Sequence, residues 1–393
     1  MNLHDACPKI YFGPGALESL AQLPEGRILL VCDPFMVKSG IVRRVTERLE
    51  QSGRQYALFA EVEPDPSIST VAGCLHALFC EKADILIALG GGSAIDTTKA
   101  AMFFCLRYKG MLMGRQYIHK PFFAAIPTTA GTGSEVTSYT VLTDREADVK
   151  IPLNDRCMTP DIAILDPAFT KSLPPPIIAF TGMDVLTHAI EAYVTENASL
   201  FTDMYATQAA KTALRHLPPL FAGSMADGDH QEMMLASTLA GLAFSNSGLG
   251  LCHGIAHTIG AEYGIPHGKA NSIVLPWIIA FNAGIGRYRC SARQPTRERY
   301  AELARGLGAP AETDRAASWL VETVRDLNRA FGIAPSLSEN GIERQRFTAD
   351  LPDMIPKILR DITTGANPVK AGRQDIKLLL EDIFVGNNPL EPQ

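Results

Sequence analysis

The chain changes texture once, at Pro174-Pro175-Pro176, and that change limits the folds open to it. Between residues 27 and 165, short apolar runs alternate with stretches of helical spacing. Residues 27–33 (RILLVCD) read as a buried strand and residues 41–52 as an amphipathic helix. Residues 55–59 form a second strand and 67–82 a helix, and DILIALGGGS (84–93) is a third strand running into a glycine turn. Residues 94–106 continue as a helix, PFFAAIPTTAGTGSE holds another strand, and extended segments follow near 138–143 and 161–165. Strands alternating with helices imply a parallel, doubly wound, Rossmann-like sheet. From Thr181 onward nearly every segment has helical spacing, most clearly 201–217, 231–247, 272–283, 296–307 and 312–331. A chain of 393 residues exceeds what one core organises. The expected organisation is therefore an α/β domain over 1–178 and an all-helical domain over 179–393.

The formal net charge of −6, without a Lys/Arg block, gives no footprint for nucleic acid. Cys7, Cys32, Cys74, Cys80, Cys105, Cys157, Cys252 and Cys290 form no CxxC pair, and several sit in apolar runs. That pattern leads us to expect a reduced, cytoplasmic protein with buried thiols. The opening MNLHDACPKIYFGPG has no basic segment ahead of an apolar core, so no secretory signal is expected. Apolar runs such as 272–281 are too short to cross a bilayer, and no membrane partner is expected.

The chemistry-bearing residues concentrate between Thr181 and His267. TGMDVLTHAIEAY carries Asp184 and His188, and GLGLCHGIAHTIGAEYGIPHGKAN carries His253, His257 and His267. Residues four apart lie one above the other on a helix, so each of the two pairs can converge on a point, with His267 following in a Gly-Ile-Pro-His-Gly turn. One carboxylate with several imidazoles suits a divalent metal, whereas a lone histidine on an apolar helix is usually a hydrogen-bonded core residue. Cys252 is a weaker ligand candidate, because it leaves the helix about 100° away from His253.

Two small-residue loops follow apolar strands. In Gly90-Gly91-Gly92-Ser93 the backbone can approach a pyrophosphate closely, and the helix dipole favours its charge. Ile95 stands where the third glycine of the dinucleotide fingerprint would be, and Lys99 lacks the glycine of a Walker motif. Residues 128–134 (TTAGTGS) offer hydroxyls and free amides at a second strand end. Asp33, ending the first strand, can accept from ribose hydroxyls and would repel a 2′-phosphate, which favours NAD over NADP; it could equally be a turn residue before Pro34.

GGGSAIDTTK, IPTTAGTGSEVT, TGMDVLTHAIEAY and GLCHGIAHTIGAEYGIPHGKAN resemble, in order and spacing, the signatures of the iron-dependent (group III) alcohol dehydrogenases. FGPGALESL, EVEPDPSISTV and KIPLNDRCMTPDIAILDP are similar to the 1-propanol dehydrogenases of propanediol utilisation, and ethanolamine-associated alcohol dehydrogenases are similar too. The resemblance spans nearly the whole chain and implies a dehydroquinate synthase-like architecture. It implies metal ligation by Asp184, His188, His253 and His267, with His257 as a catalytic proton-relay group beside the nicotinamide. It matches Asp33, Asp65, Gly91, Gly92, Ser93, Thr128, Thr129, Thr137, Lys150 and Ile177 to NAD(H)-contacting positions.

The activity implied is NAD(H)-dependent interconversion of a short-chain aldehyde and a primary alcohol, such as propanal and 1-propanol. A held divalent ion would lower the pKa of an alcohol, as catalytic zinc lowers that of water to ~7, and hydride would pass between the carbinol carbon and the nicotinamide. The resemblance favours Fe(II), while the ligand set also admits Zn(II). It further implies a homo-oligomer, dimer or larger, and enclosure with other enzymes in a bacterial microcompartment. The alternatives are a zinc-dependent glycerol or polyol dehydrogenase and a nucleotide-independent metallohydrolase.

Overall fold

The computed structural model of the chain describes residues 8–113, 119–146 and 149–391, which leaves Cys7 outside the described residues. Its contacts divide into two compact units, Met1–Leu173 with Met225–Ser245, and Pro174–Ser224 with Asn246–Gln393.

In chain order the first unit contains β1 (Lys9–Phe12), β2 (Ile28–Cys32), α1 (Pro34–Lys38), α2 (Val42–Gln51), β3 (Tyr56–Phe59), α3 (Ile68–Cys80), β4 (Ile85–Gly90), α4 (Gly92–Met113), β5 (Phe122–Pro127), β6 (Tyr139–Asp144), β7 (Val149–Asn154) and β8 (Ile162–Leu165). Six strands form a wholly parallel sheet in the order β1-β8-β5-β4-β2-β3, and β6 and β7 pair as a separate antiparallel hairpin. The sheet is buried on both faces, which is why β2 and β4 read as unbroken apolar runs rather than alternating ones. Leu29, Val31, Leu86 and Phe123 pack under α3 and α4, whereas Leu30, Ile87, Leu89 and Ile126 face Val45 and Leu49 of α2.

The expected doubly wound α/β fold is what the chain adopts. β1 and β7 were not anticipated. β1 is a four-residue edge strand with no fully buried position, and β7 is stabilised by its cross-strand pairing with β6. The chain leaves β2 for β3 on one side, then returns to β4 on the other. The sheet's switch point therefore falls between the carboxyl ends of β2 and β4, with Cys32 paired to Leu89.

The helices that follow are α5 (Pro175–Val194), α6 (Leu200–Phe221), α7 (Asp227–Ser247), α8 (Leu251–Tyr263), α9 (His267–Ala283), α10 (Gln294–Gly306), α11 (Thr313–Ala330), α12 (Arg344–Arg360) and α13 (Arg373–Val385). All but α7 lie in the second unit, which is all-helical; most of α7 packs with the first. There Thr238 donates to Glu135 at 2.6 Å. Prolines 174–176 initiate α5 rather than interrupting it. Pro174 is the N-cap and Pro175 occupies the first turn, where a missing N–H costs nothing.

α5 and α9 form the buried centre of the second unit. Contrary to the expectation from the apolar runs, α5 is long and apolar enough to cross a bilayer by length and composition, with mean hydropathy 1.2. However, 78% of that window is buried inside the fold, as for a core helix.

Candidate metal centre and nucleotide loops

The metal candidates come from three helices of the second unit. Asp184 and His188 lie on one face of α5, and His253 is the third residue of α8. α8 ends on Gly264 in the left-handed conformation (φ 66°), and Pro266 caps α9. His267, expected in a turn, is therefore the first residue of α9. Close approach of α9 to α5 requires Gly268, since a Cβ there would lie 2.1 Å from the Phe180 carbonyl oxygen.

One donor atom from each of Asp184, His188, His253 and His267 lies within 4.8 Å of all the others. From Asp184 Oδ1, the Nε2 atoms of His188, His253 and His267 are 4.0, 3.8 and 3.5 Å away. The His188 and His253 rings stack at 4.7 Å. Asp184, His188 and His253 are buried, while the His267 side chain is 41% exposed and forms the mouth of the cluster. Burial, and then the neighbouring imidazoles, drive the pKa of His253 well below its ordinary value, so the ring is neutral and its lone pair is available.

The residues around this cluster orient it. Glu191, seven residues after Asp184 on α5 and only 2% exposed, accepts from His253 Nδ1 at 2.5 Å and from the Cys252 amide at 2.7 Å. A proton on Nδ1 turns the Nε2 lone pair of His253 inward, the usual arrangement behind a metal-binding histidine. Burial pushes the Glu191 pKa up to about 8, while the amides of Cys252, Gly250 and His253 that donate to it favour the carboxylate.

Asn271, fully buried four residues after His267, places Nδ2 2.8 Å from Asp184 Oδ1, 3.0 Å from His253 Nε2 and 3.1 Å from His267 Nε2. An amide has two hydrogens for these three acceptors. The inward-facing lone pairs thus exceed what the amide can serve, and the donor set fits a divalent cation. The Cys252 thiol turns away, donating to the Asn271 carbonyl at 3.5 Å, and is not among the four clustered donors.

His257, one turn beyond His253, is not a member of that set. Its ring stacks on His267 at 5.3 Å, and Nδ1 donates to Asp361 Oδ2 at 2.8 Å. Burial works against the Asp361 charge, but hydrogen bonds from His257 and Thr363 prevail and hold its pKa at about 2. Glu191, Asn271 and Asp361 escaped the sequence reading. The first two carried a signal, lying on the helix faces of Asp184 and His267. Asp361 follows α12, far along the chain, and carried none.

In the first unit the nucleotide candidates gather at the switch point. Asp33 ends β2 and caps α1, its Oδ1 accepting from Phe35 and Met36 at 2.8 and 3.1 Å. Both earlier readings of Asp33 are compatible, because the cap uses one oxygen. α4 starts at Gly92, two residues earlier than expected, so Gly92 and Ser93 lie in its first turn, where backbone N–H groups have no helical acceptor. A Cβ on Gly92 would lie 2.9 Å from Thr132 Cγ2, so the two small-residue loops abut. The Thr128 amide donates to the Gly90 carbonyl at 3.0 Å, and Thr128 and Thr137 are buried.

Asp65 and Lys150 pair at 2.5 Å, with Asp65 held at φ 51°, a conformation uncommon outside glycine. Ile177, in the first turn of α5, is 38% exposed and belongs to the second unit.

Comparison with known proteins places the chain in a family. Residues 7–167 match the family model for iron-containing alcohol dehydrogenase, and residues 178–384 match that for the C-terminal part of the Fe-containing alcohol dehydrogenase family. The chain is 38% identical to a 1-propanol dehydrogenase, PduQ, of Salmonella typhimurium, covering 98% of this chain and 100% of the relative. It is 37% identical to an NADPH-dependent butanol dehydrogenase of Clostridium saccharobutylicum, covering 96% of each. The crystal structure of an iron-containing alcohol dehydrogenase from Thermococcus thioreducens superposes with a TM-score of 0.86 at 32% identity, covering 98% of this chain and 100% of that one. The chain therefore belongs to the iron-containing, NAD(P)-dependent alcohol dehydrogenases.

Proposed function

We propose that this enzyme interconverts a short-chain aldehyde and its primary alcohol, of the propanal and 1-propanol kind, with NAD(H) as hydride carrier. The observation that carries the reading is the four-donor cluster of Asp184, His188, His253 and His267, which would hold Fe(II). A divalent ion there supplies Lewis-acid polarisation of the substrate oxygen. Asp184 brings the negative charge that three neutral imidazoles lack, and Glu191 and Asn271 keep His253 Nε2 directed at the centre.

His257 is the proton-relay residue in this reading. Ionised Asp361 holds its Nδ1–H, leaving Nε2 to exchange a proton with the substrate oxygen. Gly91, Gly92, Ser93, Thr128, Thr129 and Thr137 form the pyrophosphate and ribose surface, with Asp65, Lys150 and Ile177 as further cofactor contacts. Asp33 at the end of β2 favours NAD over NADP, because its carboxylate would repel a 2′-phosphate. The segment 244–251 (FSNSGLGL) has no Lys or Arg to clamp a phosphate or carboxylate, which favours a small uncharged substrate. The resemblance of FGPGALESL, EVEPDPSISTV and KIPLNDRCMTPDIAILDP to the enzymes of propanediol utilisation extends the proposal to a homo-oligomer packaged with other enzymes in a microcompartment.

The test is steady-state oxidation of NADH and NADPH across short aldehydes and glycerol-type substrates, on protein reconstituted anaerobically with Fe(II) and, separately, with Zn(II). Preference for propanal or a close homologue with NADH is expected. Turnover confined to polyols, or to NADPH, would overturn the substrate or the cofactor assignment respectively.

A further inference from the structure

Lys99 is fully buried, yet it is neither a metal-site residue nor one of the proposed cofactor contacts. Its ammonium donates to Ser134 Oγ at 2.9 Å, Thr137 Oγ1 at 2.9 Å and the Tyr139 carbonyl at 2.8 Å, so all three protons are committed. Ser134 Oγ in turn donates to Asp96 Oδ1 at 2.6 Å, and Thr140 Oγ1 donates to the Asp96 carbonyl at 3.1 Å. These bonds tie the first turns of α4, behind Gly91-Gly92-Ser93, to the far end of the segment that begins at Thr128.

We propose that Lys99 is a positioning residue for the nucleotide, clamping residues 134–139 onto α4 so that the two small-residue loops meet the cofactor as one surface. The inference rests on the nucleotide reading above. Thr137, one of the proposed cofactor contacts, has its hydroxyl fixed directly by Lys99. Thr132, at the head of the same turn, packs on Gly92 and also accepts from the Ser134 amide at 3.3 Å.

The clamp is pH-sensitive by construction. Asp96 on α4 and Glu135 in the loop face the ammonium, the Tyr139 backbone carbonyl on β6 accepts from it, and Lys150 on β7 acts on Asp96. Burial lowers the Lys99 pKa to about 8, against the raising effect of Asp96 and Glu135. A neutral amine has one hydrogen too few for its three acceptors, and the loop is released as that proton leaves.

The experiment measures NADH affinity by fluorescence on the full-length enzyme from about pH 7 to about pH 9.5, for the parent, Lys99→Arg and Lys99→Met. In the parent, Kd should be flat below about pH 8 and rise toward about tenfold per unit above it. Lys99→Arg, which stays charged, should lose that break. Lys99→Met should weaken NADH binding by about tenfold to hundredfold at neutral pH, with KM for NADH rising far more than kcat falls.

A parent Kd that is constant across the range, or a Lys99→Met variant that binds like the parent, overturns the clamp; the parent profile decides even if neither variant folds. A parent that binds no NADH at any pH overturns the nucleotide reading itself, and the clamp with it.

Discussion

Glu191→Gln is the most discriminating perturbation of the metal centre, because the substitution keeps the side chain's shape while removing its charge and turning one acceptor into a donor. Both carboxylate oxygens of Glu191 are engaged by donors, the Cys252 amide at 2.7 Å and His253 Nδ1–H at 2.5 Å. A glutamine presents one oxygen and one NH2 group. In either orientation it sets a donor against a donor, in a pocket where Glu191 is 2% exposed. If the amide faces the imidazole, His253 relieves the clash by moving its proton to Nε2, and the lone pair the metal needs is lost.

The charge-assisted bond forfeited, present where Glu191 is ionised above about pH 8, is worth about 1.5–3 kcal/mol. Expressed as metal affinity, this is about tenfold to hundredfold, as for other partners behind metal-binding histidines. Chelator competition on apo protein above about pH 8, with Zn(II) and with anaerobic Fe(II), should show this loss while NADH binding stays within about twofold of the parent. Unchanged metal affinity in a folded variant would refute the role assigned to Glu191.

Three other outcomes follow from the same geometry. His267→Ala should abolish metal retention and turnover while leaving NADH binding largely intact, as metal analysis with fluorescence titration will show; equal activity at matched metal content would refute the ligand assignment. Asp33→Gly should raise tolerance for NADPH at a cost of a few tenths of a kcal/mol in capping α1, read from the ratio of kcat/KM for the two cofactors and from a thermal melt. Asp361→Asn should lower stability by about 2 kcal/mol at neutral pH, from the gap between the ordinary carboxylate value of 3.8 and about 2 in the fold. Because the folded pKa is the lower one, that contribution is full above 3.8 and fades as pH falls toward 2. Denaturant titrations of the two proteins should therefore converge in acid; a gap that persists there would refute the electrostatic origin.

Much of this was legible in the sequence, for identifiable physical reasons. The Asp184/His188 and His253/His257 pairs were readable because helical spacing puts them on single faces. The parallel sheet was readable because β2 and β4 are apolar throughout. The expected α2 (41–52) and α3 (67–82) differ from the observed helices by one or two residues at each end.

What the sequence hid depends on contacts distant along the chain. β7 is a strand because β6 lies beside it. Asp361 matters because its loop returns to α8, 104 residues away from His257. The four-way convergence itself needed α9 to start at His267, a start set by the turn at Gly264 and Pro266.

The placement of His267 bears on how an ion could come and go. Asp184 and His188 project from the interior of α5 and His253 from the buried first turn of α8, whereas His267 is the exposed opening residue of α9, the part of a helix that frays first. Unwinding that single turn would swing one arm off the ion without disturbing the other three. Exchange of an ion held by these four residues would then be governed by local fraying and not by global unfolding. Residence time could thus be tuned by the stability of one helical turn while the inner geometry of the centre stayed fixed.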